Sequence, residues 1–201
     1  MRKRKNYKTS YNKITNHQNG KNLVDNMHNL LDKDLNVIVY NFVDMLSHAR
    51  TEMEVLKELA SDEVAYRSLT KSWFEHSPLL EALKKISDKK IRLLITTDHG
   101  TIRVQNPVKV IGDRATSTNL RYKHGRNLSY KQSEVLDYTK PGQAGLPQPN
   151  VSSTYIFAKN DDFLVYPNNY NHYVKHYRNT FQHGGLSLEE VIIPFITLSS
   201  R

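Results

Sequence analysis

LNVIVYNFVDMLSH, residues 35–48, decides the fold. Its first part, LNVIVYNFV at 35–43, is a nearly continuous apolar and β-branched run. It is too short for a typical buried helix and predicts a central strand. Asp44 closes that run, and His48 stands four residues further on. On a helical turn this spacing sets both side chains on one side. The pattern returns at IRLLITTDHG, residues 91–100, where a second apolar run ends in Asp98, His99 and Gly100. Helical patterns lie between the two runs. Met53, Leu56, Leu59 and Ala60 share a stripe within 52–71, and 72–87 predicts another helix with Pro78 near the start of its main part, a position that tolerates proline. Strand, helices, strand is the parallel β-α-β crossover of open α/β sheets. Ligands bind such sheets beyond the carboxyl ends of the strands, so both acid–histidine pairs fall on the functional edge.

Residues 1–20, ahead of this unit, are polar, basic and rich in asparagine, and they predict a connecting segment. NLVDNMHNLLD (22–32) follows with Leu23, Met27, Leu30 and Leu31 at helical spacing. Beyond the second run, TIRVQNPVKVI (101–111) predicts two short strands around a turn at Asn106-Pro107. Residues 112–150, with their scattered glycines and prolines, predict a long irregular insertion. VSSTYIFA (151–158) predicts a third strand, and Ser187 with Glu190 a capping box. In VIIPFITL (191–198), Pro194 argues for an edge strand or a bulge.

Bulk properties narrow the chemistry. A chain of 201 residues is enough for one domain with a core. Nothing resembles an apolar run of membrane-spanning length, and no apolar stretch follows the basic MRKRKNYKTSYNK to make a secretory signal. The expectation is a cytoplasmic protein without membrane insertion. Without cysteine, a metal must be held by histidine, carboxylate or backbone oxygen. The net charge of +9 attracts phosphates, nucleic acid or anionic surfaces. Arg121, Lys123 and Arg126 form a basic patch that suits substrate phosphate, with a solvated loop as the equally open alternative.

The metal candidates are Asp44, His48, Asp98, His99 and His183, the last followed by Gly184 and Gly185. Carboxylate and imidazole suit zinc, and manganese or iron would also be accepted. Each motif alone is common. Their coincidence, two acid–histidine pairs each after an apolar strand, is what points to a site. Other features have plainer readings. His172 and His176 sit among Tyr170, Tyr173 and Tyr177 and predict an ordinary surface helix. Glu189 and Glu190 either orient His183 or belong to a solvated turn. Thr97 and Thr101 flank the Asp-His pair and are poor nucleophile candidates.

VDMLSH (43–48), TTDHGT (96–101) and QHGGLSLEEVIIP (182–194) resemble the consecutive metal-binding motifs of the alkaline phosphatase superfamily, and more closely those of its PglZ branch. NFVDMLSHAR, AYRSLTKSWF, TDHGTIRVQNPVKVIGDR and NVSSTYIFA resemble the effector domain of PorX-like response regulators, which belong to two-component signalling in type IX secretion of Bacteroidetes. The resemblance runs over most of residues 7–196. It implies an α/β fold with a mainly parallel central sheet, flanking helices and a missing N-terminal part. Residues 1–20 would connect, and 21–201 would form the C-terminal part of the domain. It also implies two zinc ions in the complete domain. One is held by Asp44, His48 and His183. The other is held by Asp98 and His99, with a further aspartate and a nucleophilic serine or threonine from a preceding strand and helix. No match for these stands in residues 1–34, where Asp25 and Asp32 fall in an apparent helix. The chain is therefore expected to be a fragment, inactive alone, of a phosphodiesterase or phosphatase acting on nucleotide phosphoesters. The alternatives are a non-catalytic signalling module that binds protein partners to regulate secretion genes, and a plain nucleic-acid binder. A homodimer fits any of them.

Overall fold

Period-two alternation in TSYNKI turns Ser10, Asn12 and Ile14 inward and leaves Thr9, Tyr11 and Lys13 exposed. These residues form strand β1 (Thr9–Ile14), which runs parallel to β2 (Leu35–Tyr40) with Thr9 opposite Leu35 and Ile14 opposite Tyr40. Part of the expected connecting segment is thus a strand. Its polar side chains hid it, because parallel pairing is made by main-chain groups. The computed structural model describes residues 6–199, so residues 1–5 of that expected segment lie outside the described residues. The chain divides into two compact units, Met1–Leu93 with Thr197–Arg201, and Leu94–Ile196.

The first unit continues with α1 (His17–Asp25), α2 (Phe42–Glu52), α3 (Glu54–Leu59), α4 (Glu63–Glu75) and α5 (Pro78–Ile86). Asn16 caps α1 by accepting from the Asn19 amide at 2.8 Å. Val24 and Met27 pack against Ala82 of α5, with Leu30 and Ile86 alongside. The single helix expected over 52–71 is broken into α3 and α4. Buried Arg50 donates to the carbonyls of Ala60 and Ser61, which the end of α3 sets free. Asp62 then starts α4 by accepting from the Ala65 amide at 2.8 Å. Ser77 and Pro78 start α5 as the sequence predicts.

Among the described residues the expected crossover is not made. β2 pairs with β1, whereas β3 (Arg92–Thr96) pairs with β11 (Phe195–Ser199). Leu35, Val37 and Ile38 of β2 and Leu94 and Ile95 of β3 are exposed rather than covered on both faces.

The second unit holds β4 (Ile102–Arg103), β5 (Asn106–Lys109), β6 (Tyr122–Gly125), β7 (Val135–Tyr138), β8 (Thr154–Ala158), β9 (Asp162–Val165), α6 (Tyr170–Tyr177), β10 (Phe181–Gln182) and α7 (Leu188–Val191). β5 runs parallel to β9, but β4 with β10, and β6 and β7 on either side of β8, are antiparallel. Small sheets of both kinds, in a mixed α/β chain, replace the expected mainly parallel central sheet. The two short strands expected in 101–111 are present as β4 and β5, but Asn106-Pro107 opens β5 instead of making a turn between them, and the two do not pair with each other. The Gln105 amide donates to Asp161 O at 2.8 Å, which turns β5 toward β9 instead of β4.

β9 is the core of this unit. Its Leu164 packs with Val108, Val110, Val135, Ile156 and Ala158. Phe163 and Val165 face the other way, onto Ile102 and Val104, with Tyr170, Val174 and Tyr177 of α6 beside them. Among the described residues no helix is long and apolar enough to cross a membrane. Phe163 is fully buried, so Phe163→Ala is expected to cost about 3–5 kcal/mol, read as a lower urea midpoint for unfolding.

Candidate metal centre

Asn41 joins β2 to α2, so Asp44 lies in the first turn of a helix and not at a strand end. A carboxylate is favoured there by the helix dipole. His48 stands one turn further on, its Nε2 3.4 Å from Asp44 Oδ1. α2 is braced where it carries this pair. The Tyr66 hydroxyl donates to Val43 O at 3.0 Å and lies 2.7 Å from Ser47 Oγ. Burial, and after it the negative charge of Asp44, raises the pKa of that hydroxyl against the opposing pull of the Ser47 hydrogen bond.

In the second unit, Asp98 and His99 follow β3. His99 Nδ1 lies 3.0 Å from Gly100 O, and Thr97 Oγ1 donates to His99 O at 2.9 Å. The His99 ring stacks on that of His183, with centroids 3.9 Å apart and planes 10° from parallel. Each offers a ring nitrogen within 4.8 Å of the other's. His183 is carried on a turn that needs glycine. Gly184 has φ +101, and a side chain there would press on Asn119. The Asp98 carboxylate is largely exposed and 3.8 Å from His99 Nε2. Imidazole and carboxylate donors, two of the imidazoles in ring contact, fit a borderline cation such as zinc.

The residue that organises this half-site is Glu190. Its carboxylate is sealed from water and accepts from Arg121 Nε at 3.0 Å, Arg121 Nη2 at 2.8 Å, the Gly185 amide at 2.8 Å and the Ser187 amide at 3.1 Å. Its backbone carbonyl accepts from the Gly100 amide at 2.8 Å. Burial alone would raise its pKa. The hydrogen bonds and charge of Arg121, joined by the Gly185 and Ser187 contacts, outweigh burial and lower it. The sequence marks Glu190 as a capping-box residue and, with Glu189, as a group that could orient His183; the Glu190 half of that box is present, its carboxylate accepting from the Ser187 amide, whereas Ser187 Oγ has no partner among the described residues. Its partner Arg121 carries no signal of pairing across 69 positions.

The basic patch is therefore corrected. Arg121 is fully buried, and besides Glu190 it donates to the carbonyls of Asp162 and Asn160. Lys123 is buried, donates to Thr118 O at 3.0 Å and lies 4.4 Å over the Tyr166 ring. Burial pushes its pKa down to about 8. Neither side chain is free to meet a phosphate. Arg126 alone of the three is exposed, and it bonds Asn150. His172 is exposed on α6, stacked on His176 as on a surface helix. Glu189 is exposed, unlike its neighbour.

Aspartate and histidine donors without a sulfur ligand are a set that catalytic metal sites use. Comparison with known families makes this specific. Residues 1–198 match the BREX system PglZ alkaline phosphatase-like domain, and the chain belongs to that family. It is also 31% identical over 87 residues to an uncharacterized metallohydrolase of Methanococcus maripaludis. That match takes in 41% of this chain and 20% of the relative, so the chain spans only a fraction of the relative's length.

Arg121→Ala would strand a buried carboxylate and is expected to cost about 3–5 kcal/mol, seen as a drop in melting temperature. Acid should act on the same pair. Glu190 has a lowered folded pKa, so its contribution is full above its unfolded value and is lost as pH falls through the folded one. Urea midpoints measured from neutral pH downward should fall on the acid side, and Glu190→Gln should flatten that fall.

Proposed function

We propose that this chain supplies metal ligands to a zinc-dependent phosphodiesterase or phosphatase domain acting on nucleotide phosphoesters. The observation that carries the reading is the His99–His183 stack, built from two motifs far apart in a chain of the PglZ family. In this reading Asp44, His48 and His183 hold one ion, and Asp98 and His99 belong to a second. Bound there, such a pair of ions supplies Lewis acidity and neutralises charge that develops on a transferred phosphoryl group. The protein's own part is to hold the imidazoles and carboxylates in place around the ions. The likeness of its motifs to PorX-like effector domains supports a place in two-component signalling, with protein partners as a further role. Arg126 remains the exposed cation of the basic patch that could meet a substrate phosphate.

The test uses the longest form of the protein that the gene encodes. Asp44→Ala/His48→Ala is expected to weaken zinc binding by more than the about 10–100-fold that losing an outer-shell partner costs, and to abolish hydrolysis of bis(nitrophenyl) phosphate. Unchanged zinc content by atomic spectroscopy, with unchanged hydrolysis, would reject the reading.

A further inference from the structure

Glu190 makes two kinds of contact that point to different histidines. Its carboxylate takes the amides of Gly185 and Ser187, which fixes the turn directly after His183. Its main-chain carbonyl takes the amide of Gly100, which fixes the turn directly after His99. The two histidines are thus held from one residue. The fit at the second contact is close, since a side chain at Gly100 would come within 2.0 Å of Glu189 O. The DHG turn therefore rests directly on the backbone of α7. Arg121 supplies the counter-charge that lets the carboxylate stay ionised while fully enclosed, and it ties that carboxylate to the β8–β9 connection through the carbonyls of Asn160 and Asp162. An outer-shell group that fixes the orientation of metal-binding imidazoles commonly bonds their free nitrogen. Here the anchoring acts one peptide further out, on the backbone that follows each ring.

We propose that Glu190 is a positioning residue for the His99–His183 pair, with Arg121 as its counter-charge, setting the separation of the two rings and through it the affinity for the divalent cations that these histidines hold. This rests on the reading of the two histidines as metal ligands. Glu190 itself need not touch the ion. Its role is to hold two loops that otherwise have no covalent reason to keep their spacing.

The experiment separates positioning from plain stability. Single changes at a buried ion pair leave a stranded charge, but replacing both partners with apolar groups of similar size often restores the fold. Arg121→Met/Glu190→Met is therefore expected to melt cooperatively, below the parent because the amides of Gly185 and Ser187 and the carbonyls of Asn160 and Asp162 lose their partners, while binding zinc about 10–100-fold more weakly, measured by competition with a chromophoric chelator. Cobalt substituted for zinc should show an altered visible spectrum in the same variant, reporting changed ligand geometry. A second reading needs no variant. On the unaltered protein, zinc should slow amide exchange at Gly100, Gly185 and Ser187 together. A folded double variant with parental zinc affinity and cobalt spectrum overturns the proposal and leaves the metal site standing, as does zinc binding that leaves those three amides unprotected. Failure of the unaltered protein to bind zinc at all overturns both.

Discussion

Arg121 and Glu190 face each other with water excluded, and the β8–β9 junction, the glycine turn after His183 and α7 converge on that contact. One guanidinium gathers the carboxylate and two carbonyls of the β8–β9 connection. One carboxylate gathers two amides of the glycine turn. Taking two such charges out of water carries a large desolvation cost, which only good geometry and complete hydrogen bonding offset. Both conditions are met, since each oxygen of Glu190 has at least two donors. The pair joins a strand end, a turn and a short helix that have little apolar surface of their own to hold them.

How far the fold was legible depended on whether a segment advertised its environment. β8 and the Glu190 side of the capping box at Ser187 are legible because apolar runs and caps are local signals. α4 and α5 carried their caps in Asp62 and Ser77. β1 was missed because four of its six residues are polar and its evidence is a partner strand more than twenty residues away. The sheet arrangement failed for a related reason. An apolar run says that a strand exists but not which strand lies beside it, and β2 and β3 took different partners. The break between α3 and α4 depended on Arg50, whose capture of two carbonyls leaves no periodic trace.

The site was legible in its donors and illegible in their support. His99 and His183 stood out by motif, and the structure stacks them. Asp44 and His48 stood out by spacing, and one helical turn brings them together. Arg121 and Lys123 were misjudged because charge in a glycine-rich stretch suggests solvent, whereas both lie under β-structure that the stretch itself forms. Burial of a cation depends on what covers it, and a linear pattern does not carry that information. Glu190 is legible as a cap and as a possible support of His183, but nothing in the sequence ties it to Arg121 or to the turn after His99.

The contact at Gly100 shapes how this sequence can drift. What would obstruct a side chain at position 100 is the carbonyl of residue 189, a group every amino acid possesses. No replacement at 189 can therefore make room, and compensation by a neighbouring substitution is closed off. Position 189 itself is released by the same fact, because it takes part through its backbone while its own side chain faces water. One site is locked without a covarying partner, and the residue that locks it is free to change. A comparison of descendants would then show invariance beside variability, with no correlated pair to reveal that the two positions touch.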